Sequence, residues 1–223
     1  MIALLVIGSP KGRGSASFLL AERFAECLRR RGVAATHGFV HTALRSREET
    51  TRLLDAVDAA DCLVLAFPLY VDSLPAPLIR FMEAVAARRG ASAVPSGTPR
   101  VAAVIQCGFP EAHQCDVAIG ICRLFAERTR MRWAGALAMG MGGQLAGGIE
   151  KLPGGGRHVL RALDMAADSV AEGDDVPAAA AALFARPLVP RWMYTLIGNL
   201  GWRIQIRKNR ARRPIGFRPY EQE

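Results

Sequence analysis

Ile2-Ala3-Leu4-Leu5-Val6-Ile7, running into Gly8-Ser9-Pro10-Lys11-Gly12-Arg13-Gly14-Ser15-Ala16-Ser17, decides how this chain reads. Six apolar residues in succession suit a strand buried on both faces, as in a parallel sheet covered by helices. The glycine- and serine-rich turn leads into a helix expected from Ser17 to Arg31, with Gly32 just past its end. Outward from there, Val33–Val40 reads as a weaker strand and Glu48–Ala59 as a helix with Leu53, Leu54 and Val57 inward. Cys62–Phe67 is a third strand halted by Pro68, and Pro77 opens a helix reaching about Arg89. Val101–Ile105, a helix over Ala112–Thr129 and a strand over Trp133–Met139 complete the alternation. The pattern predicts an α/β, doubly wound, five-stranded parallel sheet with helices on both faces.

Beyond Met139, Gly140–Gly156 holds eight glycines and reads as a mobile loop, a lid or a subunit contact beside the ligand site. A helix over Arg157–Ala171, a break at residues 173–177 and a short alanine-rich helix ending near Arg186 follow. The 223 residues are 51% hydrophobic and 22% charged, which excludes disorder throughout. Of the net charge of +9, the stretch 186–223 supplies +7, from nine Arg or Lys against Glu221 and Glu223. The division expected is therefore residues 1–186 as the ligand-binding domain and 187–223 as a basic C-terminal helical extension. The five cysteines are odd in number and contain no C-x-x-C pair, so neither a disulfide framework nor a metal site is expected. No apolar run reaches the ~18 residues of a spanning helix, and Ile2–Ile7 lacks the flanks of a signal peptide. A cytoplasmic protein is the expectation.

In an open parallel sheet, ligands bind beyond the carboxyl ends of the strands, where strand order reverses. Three loops leave such ends. Ser9–Ser17 sets glycines, cations and three hydroxyls before a helix N-terminus, where free amides and the helix dipole favour an anion such as a phosphate. A ligand-free turn has the same composition. The stretch is neither a Walker A motif nor G-x-G-x-x-G, which favours a mononucleotide over a pyrophosphate. Pro68–Pro75 offers Tyr70 and main-chain amides, and Gln106–Pro110 offers Gly108 and Phe109. Opposite a phosphate loop, two such loops can hold a flat heterocycle.

The combination of GSPKGRGSAS, FPLYVDSLPAPLIRFME and QCGFPEAHQ resembles the flavodoxin-like NAD(P)H-dependent FMN reductase family, over roughly the first 140 residues. The resemblance implies the strand order 2-1-3-4-5, FMN as cofactor, NADPH or NADH as hydride donor, and a homodimer or homotetramer. Carried over by position, Ser9, Lys11, Ser15 and Ser17 hold the FMN phosphate. Where many members have Asn or Thr, this chain has Ala16, so that contact is through the main chain only. Pro68, Leu69, Tyr70, Val71 and Asp72 line the isoalloxazine, and Cys107, Gly108 and Phe109 lie on its pyrimidine side. Flavin N5 then carries the chemistry, with no catalytic side chain required, and electrons pass to a quinone, a free flavin, or a nitro or azo compound. His113 reads as a solvated helix-start residue and Cys107 as a buried strand-end thiol.

A flavodoxin-type carrier and a flavin-binding regulatory protein are the alternatives, although such carriers tend to be small and acidic. An iron–sulfur flavoprotein needs cysteines that residues 42–60 lack. Nucleic acid is not an expected partner, since the clustered arginines belong to no recognisable module. A tail helix from Trp192 places Met193, Ile197, Leu200 and Ile204 on one stripe beside Arg203, Arg207 and Arg210. It can pack on protein or make a weak peripheral contact with an anionic membrane.

Overall fold

All but the first residue of Ile2–Ile7 are buried, because this strand, β1, lies between two others and under helices on both sides. The computed structural model describes residues 1–91 and 98–209. The strands β1 (Ile2–Ile7), β2 (Ala34–Phe39), β3 (Cys62–Pro68), β4 (Arg100–Gln106) and β5 (Arg132–Met139) pair in parallel in the order β2-β1-β3-β4-β5. In the register, Leu5 lies opposite His37 on one side and Val64 on the other. The helices are α1 (Ala16–Arg29), α2 (Val40–Ala43), α3 (Arg47–Asp58), α4 (Ala76–Ala91), α5 (Asp116–Arg128), α6 (Arg157–Glu172), α7 (Ala178–Phe184) and α8 (Arg191–Lys208). Two compact units result, Met1–Leu188 and a second beginning at Val189.

Alternation along the strands assigns the two faces. Leu4, Val6, Leu63, Leu65, Phe67, Val101, Ala103 and Ile105 join one core with Leu53 and Val57 of α3, Leu78 and Phe81 of α4, and Cys122 and Phe125 of α5. The intervening residues Leu5, Ile7, Val64 and Val104 are buried on the opposite face, where α1 and α6 lie together. Arg31 of the turn after α1 ties these two helices by pairing with Asp164, at 3.0 Å, and with Asp168 of α6. That pairing holds the exposed Asp168 carboxyl below its ordinary value.

Two expectations change. The helix over Ala112–Thr129 begins as a 3-10 turn, Ala112–Cys115, and becomes α-helical only at Asp116. The segment Gly140–Gly156 is not an unstructured loop but three consecutive 3-10 turns, Gly142–Gly147, Ile149–Lys151 and Pro153–Gly156. Met141, Leu145, Ile149 and Leu152 anchor them in the interior. The glycines serve close approach. A Cβ on Gly140 would stand 2.4 Å from the carbonyl oxygen of Pro110, and one on Gly142 1.7 Å from Oε1 of Gln106. The contact is sealed by Met141 N–H donating to Phe109 O (2.7 Å) and Gly142 N–H to Cys107 O (2.8 Å).

Gly140→Ala therefore drives a methyl group into main chain that cannot swing aside, whereas a Cβ on Gly143 meets nothing within 4 Å. Urea unfolding is expected to show Gly140→Ala destabilised by roughly 1–3 kcal/mol, with Gly143→Ala close to the parent.

Candidate functional site

The order β2-β1-β3 reverses the direction of winding at β1, so the loops after β1 and β3 diverge and open a cleft at the carboxyl edge. It has a volume of about 370 Å³, and Ser9, Lys11, Gly14, Ser15, Ala16, Pro68, Leu69, Tyr70, Gln106, Gly108, Gly142, Gly143 and Ala146 line it. Eight of the thirteen positions expected from sequence are among these. Ser17, Val71, Asp72, Cys107 and Phe109 do not line it.

On the β1 side the main chain closes on itself before α1 starts. Gly12 N–H donates to Ser9 O, Gly14 N–H to Lys11 O and Ser15 N–H to Gly12 O, at 3.1–3.2 Å. The Ser15 hydroxyl caps the helix, accepting from Phe18 N–H (3.0 Å) and donating to Gly12 O (2.6 Å). Its proton is thus committed within the turn. The amides of Ala16 and Ser17 precede the ladder of α1, and no main-chain bond of the turn ends on them. The Ser17 hydroxyl is fully buried without a partner. Lys11 is exposed on the cleft rim. Arg13 turns elsewhere, its guanidinium over the rings of Phe18 (5.4 Å) and Phe39 (5.1 Å).

On the β3 side, Tyr70 and Ser73 exchange two hydrogen bonds, Tyr70 N–H to Ser73 O (2.9 Å) and Ser73 N–H to Tyr70 O (3.1 Å). The hairpin tip is Val71-Asp72, with φ of +48° and +55°. Such a two-residue turn ordinarily uses Asn-Gly, and a β-branched residue there is strained. Val71 is nonetheless 97% exposed, so no packing explains its presence.

Leu69 N–H donates to Gln106 O (2.8 Å), joining the second and third loops. Cys107 points into the core below the cleft. Hydrogen bonding from the Cys115 thiol holds the Cys107 thiol below its ordinary value and pushes Cys115 up. Cys107 Sγ also lies 3.5 Å from Glu111 O and 3.7 Å from Phe109 O, so the pair knits this loop together. Phe109 is half-exposed outside the cleft, and His113 sits exposed on the 3-10 turn, also outside it. Gly14, Gln106, Gly142, Gly143 and Ala146 also line the cleft, though none was singled out as a site residue. Gly14 and Gln106 belong to two of the three loops read from the sequence, and Gly142, Gly143 and Ala146 to the glycine-rich segment expected beside the ligand.

A flavin mononucleotide fits these features. Ala16, Ser17 and Lys11 would hold its phosphate, while Tyr70, Leu69 and Pro68 on one side and the glycine wall on the other leave room for a planar ring. The Ser17 hydroxyl, buried without a partner in the first turn of α1 next to the lining residues Ser15 and Ala16, is a polar group that a ligand oxygen would satisfy.

Comparison with known proteins agrees with the fold and names the class. The NADPH-dependent FMN reductase family matches residues 1–150, and the chain belongs to this family. It is an NAD(P)H-dependent flavin oxidoreductase, with FMN as cofactor and NAD(P)H as electron donor. Among solved structures it is similar to a putative quinone reductase from Klebsiella pneumoniae (13% identity, TM-score 0.58, covering 79% of this chain and 87% of that one). It is also similar to NAD(P)H:quinone oxidoreductase from Methanothermobacter marburgensis (16%, 0.55, 76% and 96%). A third is an FMN-dependent NADH-azoreductase from Bacillus anthracis in complex with FMN (12%, 0.55, 77% and 100%). No curated protein matches the sequence.

Two substitutions separate scaffold from ligand effects. In the protein stripped of flavin, Ser15→Ala is expected to cost about 1 kcal/mol through loss of the cap. Ser17→Ala, which removes a hydroxyl with no partner, leaves the melting temperature unchanged or raised. Val71→Asn, tolerant of positive φ, should stabilise the protein by about 1 kcal/mol; a lower melting temperature would show that the tip is not strained.

Proposed function

We propose that the cleft between the first two loops holds FMN, through which reducing equivalents from NAD(P)H pass to a small-molecule acceptor of the quinone, free-flavin, nitro or azo class. The observation that carries the reading is the opposition, across one cleft, of an anion-seeking helix N-terminus and a strained, solvent-facing hairpin. Bound FMN supplies the redox chemistry, accepting hydride and releasing electrons singly or in pairs; the protein's work is binding and exclusion. The similarity to structures of a quinone oxidoreductase and an azoreductase supports this choice of acceptor class.

The roles of the residues follow from their chemistry. The amides of Ala16 and Ser17, with the α1 dipole behind them, offer fixed positive potential to a phosphate. Lys11 adds a full charge at the exposed rim. Ser15 acts one step removed, by fixing the first turn so that these amides are presented together. The Tyr70 ring and the Leu69 side chain give an apolar wall for a heterocycle, and the Val71 and Asp72 amides lie at the tip of the adjoining turn. Gln106, whose amide both donates and accepts, supplies a polar edge at the floor. Gly108, Gly142 and Gly143 carry no side chain, so a planar ligand can approach main chain there.

The lining holds no carboxylate, imidazole or thiol. Water, the Lys11 ammonium and the Tyr70 hydroxyl are thus the groups that can supply protons during electron transfer. His113, outside the cleft, has no part in the reaction, and a dimeric or tetrameric enzyme of the cytoplasm completes the proposal.

Three measurements test it. The visible spectrum of the purified protein, with flavin released by heat, should identify FMN; FAD as the sole flavin overturns the reading. Ser17→Ala should weaken FMN about ten- to a hundredfold, the loss typical of a hydrogen bond to a charged group, and leave riboflavin unaffected. Equal weakening of both ligands removes Ser17 from the phosphate site. NADPH oxidation with a soluble quinone should proceed at the parent rate in His113→Gln.

A further inference from the structure

Helix α8 spans 18 residues and buries none of them. Trp192, Leu196, Ile197, Leu200, Trp202 and Ile204 are each between 55% and 69% exposed. So much large apolar surface on a single helix marks a binding surface. At 100° per residue, Leu196, Ile197, Leu200 and Ile204 fall within one arc of about 100° together with the half-buried Met193. The run Trp192–Trp202 contains no charge. At 1.5 Å per residue it is about 16 Å long, roughly half the thickness of a bilayer's hydrocarbon core. No helix among the described residues is long and apolar enough to cross a membrane. Trp192, at the start of the run, borders this arc with an indole, the residue type that settles at the level of lipid headgroups, while Trp202 falls on the opposite face.

Charge identifies what covers this surface. Arg191, Arg203, Arg207 and Lys208 are the only ionisable side chains of α8 apart from Tyr194, and no acidic residue occurs between Pro187 and Tyr220. The sequence continues with Arg210, Arg212, Arg213 and Arg218, which lie outside the described residues. A second copy of α8 laid against the first would bring cation to cation with no carboxylate between them. A nucleic acid would satisfy the cations but leave four aliphatic side chains in water. An anionic lipid surface satisfies both sets: the aliphatic groups enter the interface with the Trp192 indole at their edge, and the long Arg and Lys stems reach back to the headgroups.

We propose that α8 docks this protein on anionic bilayers, lying in the plane of the interface. The inference stands apart from the flavin assignment and survives its failure. Arg207, which falls within the apolar arc near the C-terminal end, sets the depth of insertion there by holding its guanidinium at the headgroups.

The test uses the full-length protein with its flavin, in a Trp133→Phe background so that only Trp192 and Trp202 emit. Vesicles of phosphatidylglycerol and phosphatidylcholine, or of phosphatidylcholine alone, are titrated in. The expected result is co-sedimentation with the anionic vesicles only, a blue shift of the emission, and release by salt. Arg203→Gln with Arg207→Gln should lower the partition constant about thirtyfold, taking each basic residue near the surface at about 1 kcal/mol and 1.4 kcal/mol per tenfold. Leu200→Glu with Ile204→Glu, both exposed and so harmless to the fold, should abolish the blue shift. Indifference to anionic vesicles at low salt overturns the proposal. So does equal binding to phosphatidylcholine alone. Self-association lost in the Leu200→Glu, Ile204→Glu protein without vesicle binding overturns it in favour of a second copy, and capture by duplex DNA without a blue shift does so in favour of nucleic acid.

Discussion

A strand whose two faces are both apolar has to be covered twice, and that requirement on β1 organises the molecule. Parallel neighbours can be reached only by crossovers long enough to carry helices, and crossovers of one hand lead to opposite faces when the chain winds in opposite directions from β1. Helices α3, α4 and α5 therefore collect on one face and α1 with α6 on the other. The cleft is a by-product of this winding. Its walls are the places where the chain, leaving the edge after β1 and after β3, turns in different directions.

The cleft is stiffened from three sides, and each device uses main-chain bonds. The turn before α1 closes three hydrogen bonds on itself and a fourth through the Ser15 hydroxyl. The Tyr70–Ser73 hairpin holds two residues at positive φ by a reciprocal pair of bonds. On the far wall Met141, also at positive φ (+58°), is pinned by its bond to Phe109 and by complete burial. Unfavourable conformations at three or more residues around one cavity persist only because the surroundings over-determine them. Such a site arrives at its ligand already shaped, with little ordering left to oppose binding.

The sheet was readable because its signals are redundant. Cys62–Phe67 and Ile2–Ile7 are continuous apolar runs ended by proline or glycine, and every strand boundary from β1 to β5 lies within one residue of the expectation. The glycine-rich segment was misread for a definable reason. Glycine lowers the cost of close approach as well as the stability of regular structure, and the sequence alone does not say which is in use at Gly140. The buried Met141, Leu145, Ile149 and Leu152 that settle the matter recur at i, i+4, i+8 and i+11, the period of one helix face, but eight glycines and Pro153 in the same stretch mask that signal. At the site, Lys11 and Tyr70 were visible through motif and composition. The engagement of the Ser15 proton by Gly12 was not, since it depends on a carbonyl whose direction only the folded turn fixes.

The amide of Ala16 has a consequence for how a protein of this kind changes over generations. A ligand held by main-chain donors constrains the path of the backbone and says little about which side chain sits on it. Any residue able to start a helix can occupy position 16, with proline the exception that keeps the helix and deletes the donor. Selection at such a place acts on shape, and letters drift. A fold can then be shared by proteins whose sequences agree at little more than one position in eight, as it is between this chain and the Klebsiella structure.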